Sequence, residues 1–398
     1  MINNKLINKE QKDNKQKSGQ LEINEISAVI EPGEFPKDYM EINFGPHHPS
    51  THGVFRFIAK LDGEKILEVE PIVGYLHRGI EKIAENRTYI QFKPLVDRLD
   101  YTGAMNNEFG YCLAVEKLMD LEAPPKAQAI RVICSELNRI CAHEVFFGAM
   151  GLEVGAFTPF LFGFKDRELA MHLMEMLAGG RLTFNYFTIG GVRQDVPKGF
   201  YEETKEFLKK FKSSLAEYHE LFSGNEIFIK RTKGVGVITR EDAIEWSMSG
   251  PTLRGSGACF DIRKVEPYSG YDKYDWEIPV GKNGDVYDRY WVRMREMEQS
   301  ARIVEQAIES LPSGDYQAKV SRVIRPPAGE VYYRVEGTKG EVGFYVVSDG
   351  SDKPYRIKIR TPSFNHLNAL NYVLKNSYIA DFPIILGSFD TVMGSVDR

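Results

Sequence analysis

The feature that most constrains this chain is a hydrophobic period that changes twice along it. Phe55, Phe57, Ala59 and Leu61 share one face, while Arg56, Ile58 and Lys60 take the other, which is the two-residue period of a strand. Asp62-Gly63 is a hairpin turn signal, and beyond it Leu67 and Val69 alternate with Glu68 and Glu70, so a β-hairpin is expected over 53–71. The period then lengthens to that of a helix. Ile130, Ile133, Cys134, Leu137 and Cys141 form one stripe, and Leu169, Leu173 and Leu177 a second. Leu208, Phe211, Leu215, Tyr218 and Phe222 form a third, and Met294, Met297, Ala301, Val304, Ile308 and Leu311 a fourth. Such stripes must pack on one another, which points to a helical bundle. After Pro326-Pro327 strand-like runs return at Val331–Val335 and Val342–Val347, with turns marked by Gly337, Gly340 and Asp349-Gly350. The expected fold is α+β: a polar tail and linker over 1–37, an N-terminal β region over 38–72, a helical body over 73–325, and a C-terminal β region with a terminal segment over 326–398. No internal repeat is visible.

With 398 residues, 42% of them hydrophobic, the chain can bury a core without disulfide staples. A net charge of −5 argues against nucleic acid as a partner, because that binding needs a basic face. The four cysteines, Cys112, Cys134, Cys141 and Cys259, contain no CxxC pair and suit a reducing compartment. Cys112, Cys134 and Cys141 sit on apolar stripes and read as small core residues. The opening residues are rich in Asn, Lys and Gln, and no run reaches the roughly 18 apolar residues of a spanning helix. Any membrane association is therefore expected to run through partners.

Three clusters carry candidate chemistry. Gly45-Pro-His-His-Pro-Ser-Thr-His-Gly53 places His47, His48 and His52 in a stretch whose Pro and Gly disfavour a helix. It fits a metal site using His48 and His52, a structural turn with satisfied histidines, or a functional loop whose imidazoles donate protons near neutral pH. In His77-Arg-Gly-Ile-Glu-Lys82, Arg78 is either a surface charge paired with Glu81 or Glu85 or a functional cation. Asp97-Arg-Leu-Asp-Tyr101 resembles a charged helix start, and its tyrosine can donate to a carbonyl or quinone oxygen. Two carboxylates add to these: Glu144 stands where an apolar residue is expected, and Glu153 lies in the apolar run Met150–Phe157. Each must pair, keep a raised pKa, or face solvent from a helix end. Gly234-Val-Gly-Val-Ile-Thr239 lacks the third glycine of a dinucleotide fingerprint. Gly250-Pro-Thr-Leu-Arg-Gly-Ser-Gly257 has no phosphate-loop Lys and reads as a close-packed turn.

The segments NFGPHHPSTHGVFR, GYLHRGIEK, DRLDYTGAM, LRGSGACFDIRK, PVGKNGDVYDRY and GSFDTVMGSVDR together resemble the quinone-site subunit of respiratory complex I, its hydrogenase-like D subunit. The resemblance runs from Tyr39 to Arg398 and implies the fold of the nickel–iron hydrogenase large subunit. Hydrogenases hold their metal with two CxxC pairs. The corresponding stretches here, Arg98–Gly103 and Asp390–Ser395, contain no Cys, so the thiolates such a metal needs are missing.

The resemblance implies further roles. His52 and Tyr101 look like the pair that hydrogen-bonds the quinone head group, with His48 supporting the same loop. Arg78 looks like the arginine near the terminal 4Fe-4S cluster, which belongs to the neighbouring B subunit. Glu153 stands where the family usually has Asp as the histidine's carboxylate partner. Thr183 stands where many relatives have a cluster-tuning His, which suggests a lower or less pH-dependent cluster potential and a quinone such as menaquinone. The implied chain binds no cofactor or metal itself and takes quinone as substrate. It sits among the B, C and I subunits and the H subunit of the membrane arm, on the cytoplasmic face of the inner or plasma membrane, within a proton-translocating NADH:quinone oxidoreductase. A ferredoxin-driven complex with the same quinone site, or a non-catalytic scaffold, are the alternatives.

Overall fold

The computed structural model describes residues 39–46 and 53–398. The tail over 1–37 and the loop with His48 and His52 lie outside the described residues. Glu41–Arg398 forms one compact unit.

Alternating residues with a turn between them make the first sheet. β2 (Arg56–Asp62) and β3 (Lys65–Ile72) pair antiparallel from Arg56↔Ile72 to Asp62↔Lys65, and Gly63 takes φ +58° in the connection. β1 (Met40–Phe44) lies on the far side of β2. Phe55, Phe57, Ala59 and Leu61 are buried as the alternation implies. On β3 the buried residues are Ile66 and Val69 rather than Leu67 and Val69. An irregularity between Lys60 and Leu61 shifts the register there, and a shift of that kind changes which face a side chain meets.

The body beyond this sheet is helical. α1 (Ile80–Ala84), α2 (Tyr89–Val96) and α3 (Ala104–Leu118) lead into α4 (Pro125–Glu153) and α5 (Phe157–Ala178). A two-stranded ribbon, β4 (Phe187–Thr188) with β5 (Gly191–Val192), interrupts the helices. It is too short to leave a period in the sequence. Next come α6 (Phe200–Tyr218), α7 (Glu226–Thr232), α8 (Arg240–Glu245), α9 (Gly250–Gly255), α10 (Ile262–Val265) and the long α11 (Val286–Glu309). Segment 250–257 is thus mainly a short helix, not a turn, because Pro251 sits in the first turn where its missing N–H costs nothing. Its close packing is real: a Cβ on Gly250, at φ +64°, would lie 2.3 Å from Gly340 Cα.

α4 is buried on nearly every face. One face carries the apolar stripe through Ile130 and Cys141, and others carry Arg131, Glu136, Arg139, His143 and Glu144. The second stripe shifts by one residue: Leu169 is 40% exposed, and the buried row is Ala170, Leu173 and Leu177. The other two stripes are buried, except that Leu311 lies beyond the end of α11 and is half-buried.

Between α4, α11 and the second sheet lies a buried ionic spine. Arg254 donates through Nε and Nη2 to Glu296 Oε1 at 2.9 and 2.6 Å, and through Nη1 to Glu336 Oε1 at 2.8 Å and the Phe260 carbonyl at 3.0 Å. Arg263 pairs with Asp261 and Glu136, and Arg139 with Glu136. Burial would raise Glu136, but Arg139 and Arg263 outweigh it and hold the carboxyl at about 2.

The second sheet is β6 (Gly329–Glu336), β7 (Glu341–Ser348) and β8 (Arg356–Arg360), in that order and antiparallel. The strand pattern ends at Arg360. Four short helices complete the chain: α12 (Pro362–Asn368), α13 (Leu370–Leu374), α14 (Phe382–Phe389) and α15 (Met393–Val396). They return it to the first sheet. Asn371 Oδ1 accepts from Val69 N at 2.8 Å, and Phe382 stacks on Phe57 with centroids 4.0 Å apart.

Candidate functional site

Residues 97–103 join α2 to α3, so Asp97–Tyr101 is a helix-to-helix connection rather than a helix start. Its backbone and side chains bring several candidate residues together. The exposed Arg78 donates from Nη2 to the Arg98 carbonyl at 2.9 Å. The carboxylates expected to pair with it are engaged elsewhere: Glu81 pairs with Arg356 and Lys358, and Glu85 with Lys82 and Arg356. Asp97 Oδ2 accepts from Asn185 N at 3.0 Å, which places the half-buried Thr183, two residues earlier, beside the same connection. Arg78, Tyr101 and Thr183 therefore converge.

Asp97 also faces Glu108. Burial pushes Asp97 up to about 6, and burial together with the Asp97 charge lifts Glu108 well above the ordinary carboxylate range. Asp97 Oδ1 and Glu108 Oε1 lack another donor, as two carboxyls sharing one proton would. Lys93 Nζ, 4.0 Å from Glu108 Oε2, supplies the compensating charge.

At the other end, Tyr101 is 49% exposed, not buried as a core tyrosine would be. Desolvation of its hydroxyl and the Asp100 carboxylate raise the phenol. Asp100 Oδ1 accepts from Thr102 N and Oγ1 at 3.0 and 2.7 Å, and its Oδ2 from Thr338 Oγ1 at 3.2 Å. Gly103 leaves room for this: a Cβ there would lie 2.6 Å from Thr338 Oγ1 and 2.9 Å from Asp100 Oδ2. The chain's last residues close over the connection. A Cβ on Gly394 would come within 3.0 Å of the Leu99 carbonyl, and Asp397 accepts from Gly74 N and Leu76 N at 2.8 Å each. Met393 abuts Gly53, where the histidine loop rejoins the described residues. The stretches 98–103 and 390–395 are thus neighbours.

Glu153 is half-buried at the end of α4. Asn138 of the same helix donates to the Thr102 carbonyl at 2.9 Å and so marks the level of Tyr101. Glu153 stands fifteen residues later, about 22 Å farther along the axis. Glu144 is fully buried with no donor to either oxygen, and burial, with Asp166 adding to it, raises its pKa well above the usual range. Of the outcomes expected for it, the raised pKa holds. Cys112, Cys134 and Cys141 are buried core residues and Cys259 is exposed. Among the described residues no group of three His, Cys, Asp or Glu is placed to hold a metal.

Two residues of this site carry no signal of their own in the sequence. Lys339 sits between glycines in the β6–β7 turn, where a lysine ordinarily meets solvent, yet its side chain is 2% exposed. Asp390, at φ +54°, faces it at 3.1 Å. The only pointer is indirect: glycine-rich stretches at 250–257 and 337–340, which meet in space.

The family model for the respiratory-chain NADH dehydrogenase 49 kDa subunit matches residues 153–327 and 317–398. The NADH-quinone oxidoreductase D subunit of Carboxydothermus hydrogenoformans is 52% identical over 358 residues, covering 90% of this chain and 98% of the relative. A second-copy D subunit of Solibacter usitatus is 51% identical over 357 residues, covering 90% and 96%. The D subunit of Bacillus mycoides is 50% identical over 359 residues, covering 90% and 98%. The described residues contain no helix long and apolar enough to cross a membrane. Matches of this extent, over a body in which the signature segments pack together, make the chain a member of the 49 kDa family, the D subunits of the NADH-quinone oxidoreductases.

Proposed function

We propose that this chain forms the quinone-reduction site of a proton-translocating NADH:quinone oxidoreductase together with the B subunit. The observation that carries the reading is the half-exposed Tyr101 phenol on a connection that also holds Arg78 and the Thr183 segment. Apolar side chains exposed on the same segments, Val73, Tyr75 and Leu182, suit coverage by a partner chain. Tyr101 and His52 would donate to the two ring oxygens of the quinone and so orient it for reduction. Glu153 would be the carboxylate behind the histidine loop, and His48 would support that loop. Arg78, held on the Arg98 carbonyl, would present its guanidinium toward a 4Fe-4S cluster in the B subunit, which supplies the electrons. This chain binds no cofactor in this reading, and its fold is that of the nickel–iron hydrogenase large subunit with the metal segments emptied of Cys. The C, I and H subunits complete its surroundings at the cytoplasmic face of the membrane. Thr183, lacking an imidazole, suits a low-potential quinone such as menaquinone; a redox titration giving a high, pH-dependent cluster potential would count against that.

Tyr101→Phe and His52→Ala test the site in the intact complex. Each is expected to lower quinone reduction by about tenfold or more while NADH still reduces ferricyanide, an acceptor served upstream. Wild-type quinone turnover in both variants would refute the assignment.

A further inference from the structure

Lys339 engages the residue on either side of Tyr101. Its Nζ donates to Thr102 Oγ1 at 2.8 Å and lies 3.8 Å from Asp100 Oδ2. On the opposite side Asp390 Oδ2 is 3.1 Å from Nζ, and Arg293 Nε is 3.8 Å from that same oxygen. Two carboxylates and two cations thus make a neutral buried group, with the Thr102 and Thr338 hydroxyls as its uncharged members. Burial alone would strip a lysine of its charge, but Asp100 and Asp390 outweigh it and keep Lys339 an ammonium. The turn that carries it is pinned by the close approach of Gly340 to Gly250 and Ser249. A buried ammonium on a locked turn, touching both neighbours of one half-exposed tyrosine, is more than a fold needs at that point.

We propose that Lys339 is a positioning residue for the Tyr101 phenol, supplying the fixed positive charge against which that phenol gives up its proton. The proposal rests on the reading of Tyr101 as a donor to quinone. In that step the phenol O–H breaks and a quinol O–H forms, the electrons coming from an iron–sulfur centre in the partner chain. The phenolate left behind faces the Lys339 ammonium and takes its proton back from water. Of the charged groups acting on the phenol, Asp100 and Asp390 oppose this ionisation and Lys339 favours it. Without Lys339, two carboxylates would face the single cation Arg293, and the phenolate would form beside net negative charge.

The test is Lys339→Met and Lys339→Arg in the intact membrane complex, with a short-chain naphthoquinone as acceptor. Lys339→Met is expected to lower kcat about tenfold or more, with KM changed less than about twofold, and to enlarge the solvent deuterium isotope effect. Lys339→Arg, which keeps the charge, is expected to hold kcat within about threefold of wild type. Equal losses in both variants with an unchanged isotope effect mean a packing role and overturn the proposal, as does wild-type kcat in Lys339→Met. If Lys339→Met does not assemble, Asp390→Asn, nearly isosteric, carries the test. It is expected to show the same larger isotope effect, and a wild-type kcat and isotope effect there overturn the proposal. Tyr101→Phe is measured alongside. Wild-type turnover in Tyr101→Phe removes the underlying reading, whereas loss in Tyr101→Phe with a normal Lys339→Met removes this inference alone.

Discussion

Arg254→Leu tests the ionic spine that holds α4, α11 and the second sheet together. Arg254 is fully buried and gives two hydrogen bonds to Glu296, one to Glu336 and one to the Phe260 carbonyl, with Asp261 Oδ2 3.3 Å away. Leucine matches the volume of the stem but leaves those acceptors in the core. Glu296 would keep only its contact with His143 Nε2 at 3.0 Å, and burial together with Arg293 and Arg139 disfavours a charged His143, though Glu296 pulls the other way, holding it at about 4. Removing one member of a buried pair costs about 3–5 kcal/mol. A carbonyl stripped of its donor adds about 1–3 kcal/mol. Both terms arise from one side chain and do not add in full, so about 4–6 kcal/mol is expected, a large part of the roughly 5–15 kcal/mol that a folded chain has. Urea unfolding of the purified chain measures it. The sign of the pH dependence comes from Glu296, whose folded pKa lies below its ordinary 4.5, against burial, because Arg254 and His143 favour its charge. Its stabilisation is present above 4.5 and is lost as pH falls through the folded value, so the gap between wild type and variant should narrow on acidification. Lysine at this position restores the charge but cannot reach Glu296, Glu336 and the carbonyl together, and should recover only part of the loss. A gap below about 1.5 kcal/mol, or one that stays constant from neutral to acidic pH, would refute the reasoning.

Two further outcomes are expected. Glu144 keeps its proton in the folded chain above its ordinary 4.5, so wild-type stability falls as pH rises past that value, by at most about 1.4 kcal/mol per unit. Glu144→Gln should remove that slope, and parallel pH–stability curves for the two proteins would exclude the raised pKa. Gly250→Ala forces a Cβ onto Gly340 and should displace the turn carrying Lys339. Quinone reduction is expected to fall while ferricyanide reduction persists, and an unchanged quinone rate would show that the turn tolerates the shift.

The legible part of the fold was that governed by period. Phe55–Leu61, the α4 stripe and the β6–β7 hairpin come directly from alternation or helical spacing, because burial of one face sets those patterns. Leu67 and Leu169 departed from their expected faces because a register irregularity and a one-residue rotation depend on neighbours far along the chain. The Asp97–Tyr101 cluster stood out as charge density, but its geometry was hidden. Arg78 meets a backbone carbonyl rather than a carboxylate, and no pattern of side chains announces a carbonyl. Lys339 was hidden for a related reason: between two glycines it looks like a surface turn, and only Asp100 and Asp390, both distant in sequence, make its burial tolerable.

The separation of those partners has a consequence for how the protein is made. Asp397 clamps Gly74 and Leu76 across 323 and 321 positions, and Asp100 reaches Thr338 across 238. Almost none of the site can exist while the ribosome is still working. Helices such as α4 can form as they emerge, but Tyr101 must wait, its flank uncovered, until residue 397 has been added. During that interval the exposed apolar side chains beside it have no finished surface to belong to, which makes this stretch the natural place for a chaperone or an early assembly partner to hold the nascent chain. It also makes completeness self-checking: a chain released a few residues early lacks the clamp, and with it the surface on which a neighbouring subunit would recognise it.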